Sequence, residues 1–429
     1  MTTTEAERRA STTVVVAGQG YVGLPIAMRA VEAGYNVIGY EPDPTRAKRL
    51  TDADSYVEDV PNDVLAAAVA TGRYRTTDVP EGCRGFDIAV ITVPTPLKDG
   101  APDLSYIERC AEELAPLVRP GATVILESTT YPGTTEELLV PILERGSGLT
   151  AGEDFHVGYS PERIDPGNQT WTFVTTPKVV SGVDSGSADV VATFYRTLVH
   201  YVVPVSNPKV AELTKLLENT FRHVNIALVN ELAMFAGELG VDVWEAIDAA
   251  STKPFGFMRF NPGPGVGGHC LPVDPSYLSW RVKQTLGANF RFVELANDIN
   301  DHMPEYVAQR VILNLNRQGK AVKGSRILVL GLSYKKNSGD VRVSPVPVLC
   351  ERLVALGAEV RVCDPLVELE MTTSEMIPVE LTPTALDMSD LVIIATDHDS
   401  FDWELIVSRR ENILDLRHRL PRTDRVEYL

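Results

Sequence analysis

The sequence predicts an α/β chain: two doubly wound domains of parallel strands and alternating helices, joined by a long central helix. Three observations carry the prediction. A glycine-punctuated turn follows the first buried strand and opens a helix. Strand and turn segments near the start recur, loosely, near the end. Between them lies a stretch of apolar residues at three- and four-residue steps.

A chain of 429 residues is too long for one ordinary core, so two or three domains are expected. The boundaries read as 1–205, 206–310 and 311–429. Hydrophobic residues make up 44% and charged residues 23%, an ordinary globular balance that confines expected disorder to the ends. Lys and Arg number 40 against 58 Asp and Glu, a formal charge of −18, which argues against a nucleic-acid partner. A local basic pocket for an anionic ligand is compatible with such a surface. Five scattered cysteines (Cys83, Cys110, Cys270, Cys350, Cys363) have no CxxC spacing, so neither a disulfide framework nor a metal site is expected, and a reducing compartment fits. The start, Met1 to Arg9, has no apolar core of a signal peptide, and no apolar run approaches the roughly 18 residues that span a bilayer. A cytoplasmic protein with no membrane partner is the expectation.

The first strand reads as Thr13 to Ala17 and runs into Gly18-Gln19-Gly20-Tyr21-Val22-Gly23, followed by helix from Leu24 to Ala33 with a stop at Gly34. A second strand, Asn36 to Tyr40, ends on Glu41, and further strands read at Asp87 to Val93 and Ala122 to Leu126. The C-terminal echo pairs Gly34-to-Pro42 with Gly357-to-Pro365, Phe86-to-Ile91 with Ser389-to-Ile394, and the first strand with Arg326 to Gly331. Gly331 is followed by Leu332-Ser333-Tyr334-Lys335-Lys336 and not by two more glycines, so the second domain should bind something other than a dinucleotide. In the middle, Val210, Leu213, Leu216, Leu217, Val224, Leu228 and Leu232, with a stop at Gly240, read as one amphipathic helix, a spine between the domains and a possible dimer contact.

GxGxxG alone is weak. Here it follows a strand, opens a helix and has an acid at the end of the next strand, the full context of a Rossmann-like dinucleotide site. Gly18 permits the turn, Gly20 the approach of a pyrophosphate and Gly23 the close packing of helix on strand. Glu41 would accept from a ribose 2′-hydroxyl, which favours NAD over NADP. The alternative is a glycine-rich turn with no ligand.

Lys215 and Asn219 are four apart and share a helix face, with Arg222 three beyond. Two readings stand for them: a solvated stripe, or a polar face where an ammonium and an amide hold a developing oxyanion. The densest signal is the run from Pro262 to Pro275, whose glycines and prolines suit neither helix nor strand. It reads as a loop shaped for backbone approach to a ligand, delivering Cys270 with Asp274 just beyond. The other four cysteines read as small buried hydrophobes, and His269 as either a base or a backbone support. Pro161-Glu162-Arg163 and Glu127-Ser128-Thr129-Thr130 follow strand-like segments, where open α/β sheets place ligands.

With these motifs in view, the chain resembles the nucleotide-sugar 6-dehydrogenases, a family that includes UDP-glucose, GDP-mannose and UDP-N-acetylhexosamine dehydrogenases. The resemblance runs from about Val14 to Arg417. It rests on the glycine finger, Ser128-Thr129, Pro161-Glu162, Lys215-x-x-x-Asn219, Gly267-Gly268-x-Cys270-x-x-x-Asp274, and Tyr334-Lys335-Lys336 followed by Asp340-Val341-Arg342. It implies a homodimeric enzyme that takes a primary alcohol to a carboxylate with two NAD used in turn. Cys270 would be the nucleophile that makes the intermediate aldehyde tetrahedral. Lys215 and Asn219 would stabilise the oxyanion, Asp274 would help activate water, and Thr129 and Glu162 would position water and move protons. Cofactor contacts are implied for Tyr21, Val22, Arg46 and Thr95 beside the three glycines and Glu41, and for Thr129 and Arg342. Substrate contacts are implied for Glu162, Arg163, Lys215, Asn219 and Arg222, for Phe260, Asn261, Gly265 and Gly267 of the loop, and for Tyr334, Lys335 and Arg417.

Several positions depart from the UDP-glucose branch. Val273 stands where that branch has lysine, Pro166 where it has glutamate, and Arg342-Val343-Ser344-Pro345 replaces Arg-Glu-Ser-Pro. Pro161-to-Gly167, Leu217-to-Arg222 and His269-Cys270 look more like the N-acetylhexosamine branch, but enzymes similar to UDP- or dTDP-glucose dehydrogenases share that look. Glucose on UDP or dTDP is the reading carried forward, with UDP-N-acetylglucosamine or UDP-N-acetylmannosamine as the alternative. Three rivals are weaker. A two-electron hydroxyacid or 6-phosphogluconate type needs no cysteine loop, a short-chain epimerase needs Tyr-x-x-x-Lys, and an NAD sensor has no use for a nucleophile.

Overall fold

The computed structural model describes residues 4–164, 168, 170–268, 271–367, 375–409, 412–423 and 425–429. The chain divides into two units, one of residues 1–218 with 276–285, the other of 219–275 with 286–429.

The first unit is built on an eight-stranded sheet. Its strands are β1 (Thr13–Ala17), β2 (Asn36–Tyr40), β3 (Tyr74–Thr77), β4 (Ile88–Ile91), β7 (Thr123–Leu126), β8 (His156–Tyr159), β9 (Lys178–Gly182) and β10 (Val202–Pro204); a small hairpin, β5 (Leu97–Lys98) and β6 (Ala101–Pro102), stands apart. The order is β10-β9-β8-β7-β4-β1-β2-β3, parallel throughout except between β8 and β9. β1 and β2 cover the residues expected of them; the two later strands are shorter than read. Strand β1 is Thr-Val-Val-Val-Ala, and its last four residues are buried on both faces, as β-branched residues in the middle of a parallel sheet should be. Helix Gly23–Glu32 packs Leu24, Ile26, Ala27, Ala30 and Val31 into the same core and is closed by Gly34 at φ +99°. Chain order reverses between β1 and β4, which makes a crevice at their carboxyl ends.

The second unit repeats this plan in six parallel strands, β11 (Arg326–Leu330), β12 (Glu359–Cys363), β13 (Ile377–Pro378), β14 (Leu391–Ile394), β15 (Ile413–Asp415) and β16 (Val426–Tyr428), in the order β13-β12-β11-β14-β15-β16. The echo in the sequence is an echo in structure. Gly18 N–H donates to the Tyr40 carbonyl at 2.8 Å, and Gly331 N–H donates to the Cys363 carbonyl at 2.8 Å. Each glycine takes positive φ, and a Cβ on either would collide with the carbonyl of Thr92 or of Thr396 beside it. Two Rossmann-like halves and a long helix are thus the architecture.

That helix, Pro208–Ala236, has residues 208–218 in the first unit and 219–236 in the second. Its burial departs from the sequence reading. Of the apolar residues expected to face inward, Leu216 does, but Val210, Leu213, Leu217, Leu228 and Leu232 are exposed, Leu217 by 63%. The buried face carries Ala211, Glu212, Lys215, Asn219, Thr220, His223, Ala227, Asn230 and Ala233. Periodicity locates a stripe but does not say which side is packed, and here small and polar side chains occupy the inside.

Candidate active site

In the first unit the glycine finger has the shape a dinucleotide requires. Gly18 sits at φ +89°, and a Cβ on Gly23 would come within 1.9 Å of the Gly18 carbonyl oxygen. A Cβ on Gly20 would meet nothing within 4 Å, so open space faces it. Among the described residues no side chain caps helix Gly23–Glu32; Leu24 N–H is taken by the Gly20 carbonyl at 3.1 Å and Pro25 has none, which leaves the Gly23 N–H of the first turn for an anion. Glu41 is buried at the end of β2, its carboxylate accepting from Gln19 N–H and Asp43 N–H at 3.3 Å each. The residues present therefore fit NAD. Of the other expected cofactor residues, Tyr21 and Val22 lie in this turn, and Thr95 gives its carbonyl to the Tyr277 hydroxyl at 2.6 Å. Arg46 lies over the Tyr56 ring at 5.3 Å.

The Pro161-Glu162-Arg163 segment leaves the end of β8 and is held from several sides. Lys215 Nζ donates to the Glu162 carbonyl at 2.5 Å, and Ile164 N–H donates to Glu162 Oε1. Lys178, buried on β9, donates to the Pro161 carbonyl at 3.2 Å and to Glu127 at 2.7 Å, and lies 3.6 Å from Glu162 Oε2. Tyr195 donates to the other oxygen of Glu127. Burial raises the pKa of Glu127 against the pull of Lys178. Arg163 donates to the Pro177 carbonyl and pairs with Glu218 at 2.7 Å. Thr129 is half-buried between Ser128, which donates to the Val93 carbonyl, and Thr130, paired with Thr134. The turn after it is fixed by Glu212, which accepts from Gly133 N–H, Thr135 N–H and the Thr135 hydroxyl.

In the second unit Asn219 Nδ2 donates to Asp274 Oδ2 at 2.5 Å, and both side chains are buried. An amide and a carboxylate far apart in sequence are thus brought together. The Pro262–Gly268 loop is anchored by Asn230, whose Oδ1 accepts from Gly263 N–H at 2.9 Å and whose Nδ2 donates to Asn300. Asn300 in turn meets His223, and His223 meets Asn297 at 2.7 Å. Cβ atoms on Gly267 and Gly268 would strike Tyr334, and one on Gly265 would strike Pro345, so these glycines are required by packing. Phe260 meets Phe221 edge-on, and Asn261 accepts from Arg259. Arg417 donates through Nε to the Ala395 carbonyl at 2.7 Å, and Tyr334 N–H donates to the Asp340 carbonyl. Lys335 is half-buried in the same loop. Arg342 forks onto Asp340, and Val343 next to it takes φ +53°, a strained conformation for a β-branched residue.

Not every expectation fits this arrangement. Arg222 is exposed, unlike Lys215 and Asn219: the helix face that is buried at their level is open at its own. Cys270, His269, Pro166 and Gly167 lie outside the described residues. Cys83, Cys110, Cys350 and Cys363 are free and buried, as read, and burial pushes their thiols up, that of Cys363 to about 11. Glu212, Asn230 and Lys178 were not singled out from sequence. Each is a polar residue on a buried face, which a one-dimensional pattern shows only as an interruption.

A glycine finger at one sheet's switch point and a second sheet of the same plan without the finger define a dinucleotide-binding protein of two Rossmann-like domains. Comparison with known proteins agrees. Residues 12–199 match the NAD binding domain of the UDP-glucose/GDP-mannose dehydrogenase family, 209–302 its central domain and 328–422 its UDP binding domain. A UDP-N-acetyl-D-mannosamine dehydrogenase of Pyrococcus horikoshii is 36% identical over 94% of this chain and 95% of its own. A UDP-N-acetyl-D-glucosamine 6-dehydrogenase of Pseudomonas aeruginosa is 36% identical over 90% and 91%. The solved structure of the UDP-D-ManNAc dehydrogenase from Pyrococcus horikoshii superposes with a TM-score of 0.88 at 35% identity, covering 97% of this chain and 99% of that one. The chain belongs to the UDP-glucose/GDP-mannose dehydrogenase family. It is an NAD-dependent nucleotide-sugar 6-dehydrogenase.

Proposed function

We propose that the substrate is a UDP-N-acetylhexosamine, oxidised at its C6 alcohol to the uronic acid. The observation that carries this is the agreement of relatives that align over nine-tenths of the chain and are named for N-acetylglucosamine or N-acetylmannosamine. It favours the N-acetylhexosamine alternative over the glucose reading, which rested on a look shared by two branches. NAD is assigned to residues 1–205 and the nucleotide sugar to 311–429, with 206–310 between them.

NAD, when bound, accepts a hydride at each of the two oxidation stages. The chain's residues do the rest. Lys215 and Asp274 activate the water that takes the alcohol proton, and Cys270 attacks the aldehyde to give a thiohemiacetal. Lys215 and Asn219 hold its oxyanion, and their tethers to Glu162 and Asp274 limit the reorganisation this needs. After the second oxidation stage Cys270 carries a thioester, which water positioned by Thr129 and Glu162 hydrolyses, returning the thiol. Tyr334, Lys335 and Arg417 take the nucleotide, and Phe260, Asn261, Gly265 and Gly267 enclose the sugar. Arg46, Thr95 and Arg342 complete the cofactor contacts.

Turnover with UDP-N-acetylglucosamine, UDP-N-acetylmannosamine, UDP-glucose and GDP-mannose tests the substrate. The expected result is kcat/KM at least tenfold higher, about 1.4 kcal/mol in transition-state stabilisation, for one of the N-acetylhexosamines. A preference for UDP-glucose would reject the assignment.

A further inference from the structure

The second sheet keeps the scaffold of the first at its switch point but discards the glycine finger. Helix Pro345–Ala355, the next element after β11, is not open for a phosphate: its first residue is proline, and Ser344 caps it by accepting from Val346 N–H. A nucleotide at this end must be met by the loop between β11 and that helix, and the loop is tied down by one fully buried histidine. His398 Nδ1 accepts from Asn337 N–H at 2.9 Å. The neutral ring therefore carries its proton on Nε2, which lies 3.1 Å from Asp364 Oδ2 and 3.2 Å from Ser333 Oγ. Asp364, at the end of β12 where Glu41 stands on β2, also accepts from Leu332 N–H and Ser333 N–H, and the Thr396 hydroxyl donates to the Ser333 carbonyl at 2.6 Å. At the other end of the loop Asn337 takes φ +58°, a left-handed conformation that asparagine tolerates, and it is fixed there because its side chain and Asp399 exchange hydrogen bonds while its N–H is held by His398.

We propose that His398 is a positioning residue for nucleotide binding: its Nδ1 pins Asn337 and so holds the Ser333–Asn337 loop in the one conformation that presents Tyr334 and Lys335. This rests on the reading of residues 328–422 as the UDP-binding part. Where the first domain receives a phosphate on a glycine turn and an uncapped helix, the second uses a loop of side chains pinned from below.

Two isosteric substitutions separate the ring nitrogens. His398→Asn keeps an acceptor near Nδ1, and His398→Gln keeps a donor near Nε2. UDP binding is measured by calorimetry on the full chain, with NAD binding and thermal midpoint recorded alongside. The expected result is that His398→Asn binds UDP within about threefold of the wild type while His398→Gln loses at least tenfold, about 1.4 kcal/mol, with NAD affinity unchanged in both. Equal UDP affinity in the two variants, or affinity that only follows the thermal midpoint, would overturn the pin. A wild type that binds no UDP would instead remove the reading of the domain, and the proposal with it. Should neither variant fold, hydrogen exchange on the wild type decides: the Asn337 amide must be protected before UDP is added, and exchange at the rate of an open loop would refute the proposal.

Discussion

His223 shows how much a single buried side chain can decide. It lies on the inner face of the long helix, where burial pushes its pKa down, opposed by the hydrogen bond to Asn297 and the charge of Asp301. The unfolded chain titrates near the ordinary value of about 6.5, so between that pH and the lower folded value the unfolded state holds more protons. Stability is therefore full above about pH 6.5 and falls as the pH drops towards the folded value. Urea unfolding of the second unit at about pH 7.5 and pH 5.5 should show this loss, and His223→Gln, which cannot charge, should reduce it. An unchanged pH dependence in the variant would mean that His223 is not the group responsible. The same scale shows where sequence reading stops. Gly18, Gly20, Gly23 and Glu41 were legible because the strand–turn–helix context fixes what each must do. Lys178 was not, because its partners Glu127 and Glu162 are distant in sequence and meet it only through the pairing of β7 with β8 and of β8 with β9.

Among the elements, the long helix carries the clearest lesson. Its apolar repeat was legible, and its length nearly so, but the repeat faces solvent over Leu213, Leu217, Phe221, Leu228, Leu232 and Phe235. Exposed apolar stripes of this kind are what protein interfaces cover, and the homodimer that the sequence resemblance implies would use this one. Leu217→Glu with Leu228→Glu would place carboxylates in the middle of it, while the buried face with Lys215 and Asn219 stays intact. Light scattering should report a dimer for the wild type and a monomer for the double variant, with the helical circular dichroism retained. A wild-type monomer at micromolar concentration, or a variant that remains dimeric, would exclude this stripe as the contact. The Pro262–Gly268 loop is the opposite case. Its glycine and proline content marks it as neither helix nor strand and as shaped for backbone approach to a ligand, whereas the close approaches made by Gly265, Gly267 and Gly268 are to Pro345 and Tyr334; the anchor, Asn230 through Asn300 to His223, was not legible, since asparagine and histidine on a helix read as solvated residues until the burial is known.

At the scale of the whole chain, two sheets of one plan divide the labour through the segment that leaves their first strand. After β1 come the finger and an uncapped helix, suited to the diphosphate of NAD. After β11 comes a side-chain loop held by Asp364 and His398, suited to a different nucleotide. The repeat was legible because strand cores tolerate few residue types. The antiparallel pairing of β8 with β9 was not, since short mixed strands carry no signal of direction. In the proposed reaction one chain carries an alcohol through an aldehyde to an acid without releasing the aldehyde, which separates it from every two-electron rival. Simultaneous measurement of NADH absorbance and product mass with a limiting UDP-N-acetylhexosamine tests it directly. Two NADH for each sugar nucleotide consumed, with the uronic acid as sole product, are expected; one NADH, with free aldehyde accumulating, would rule out the four-electron reaction.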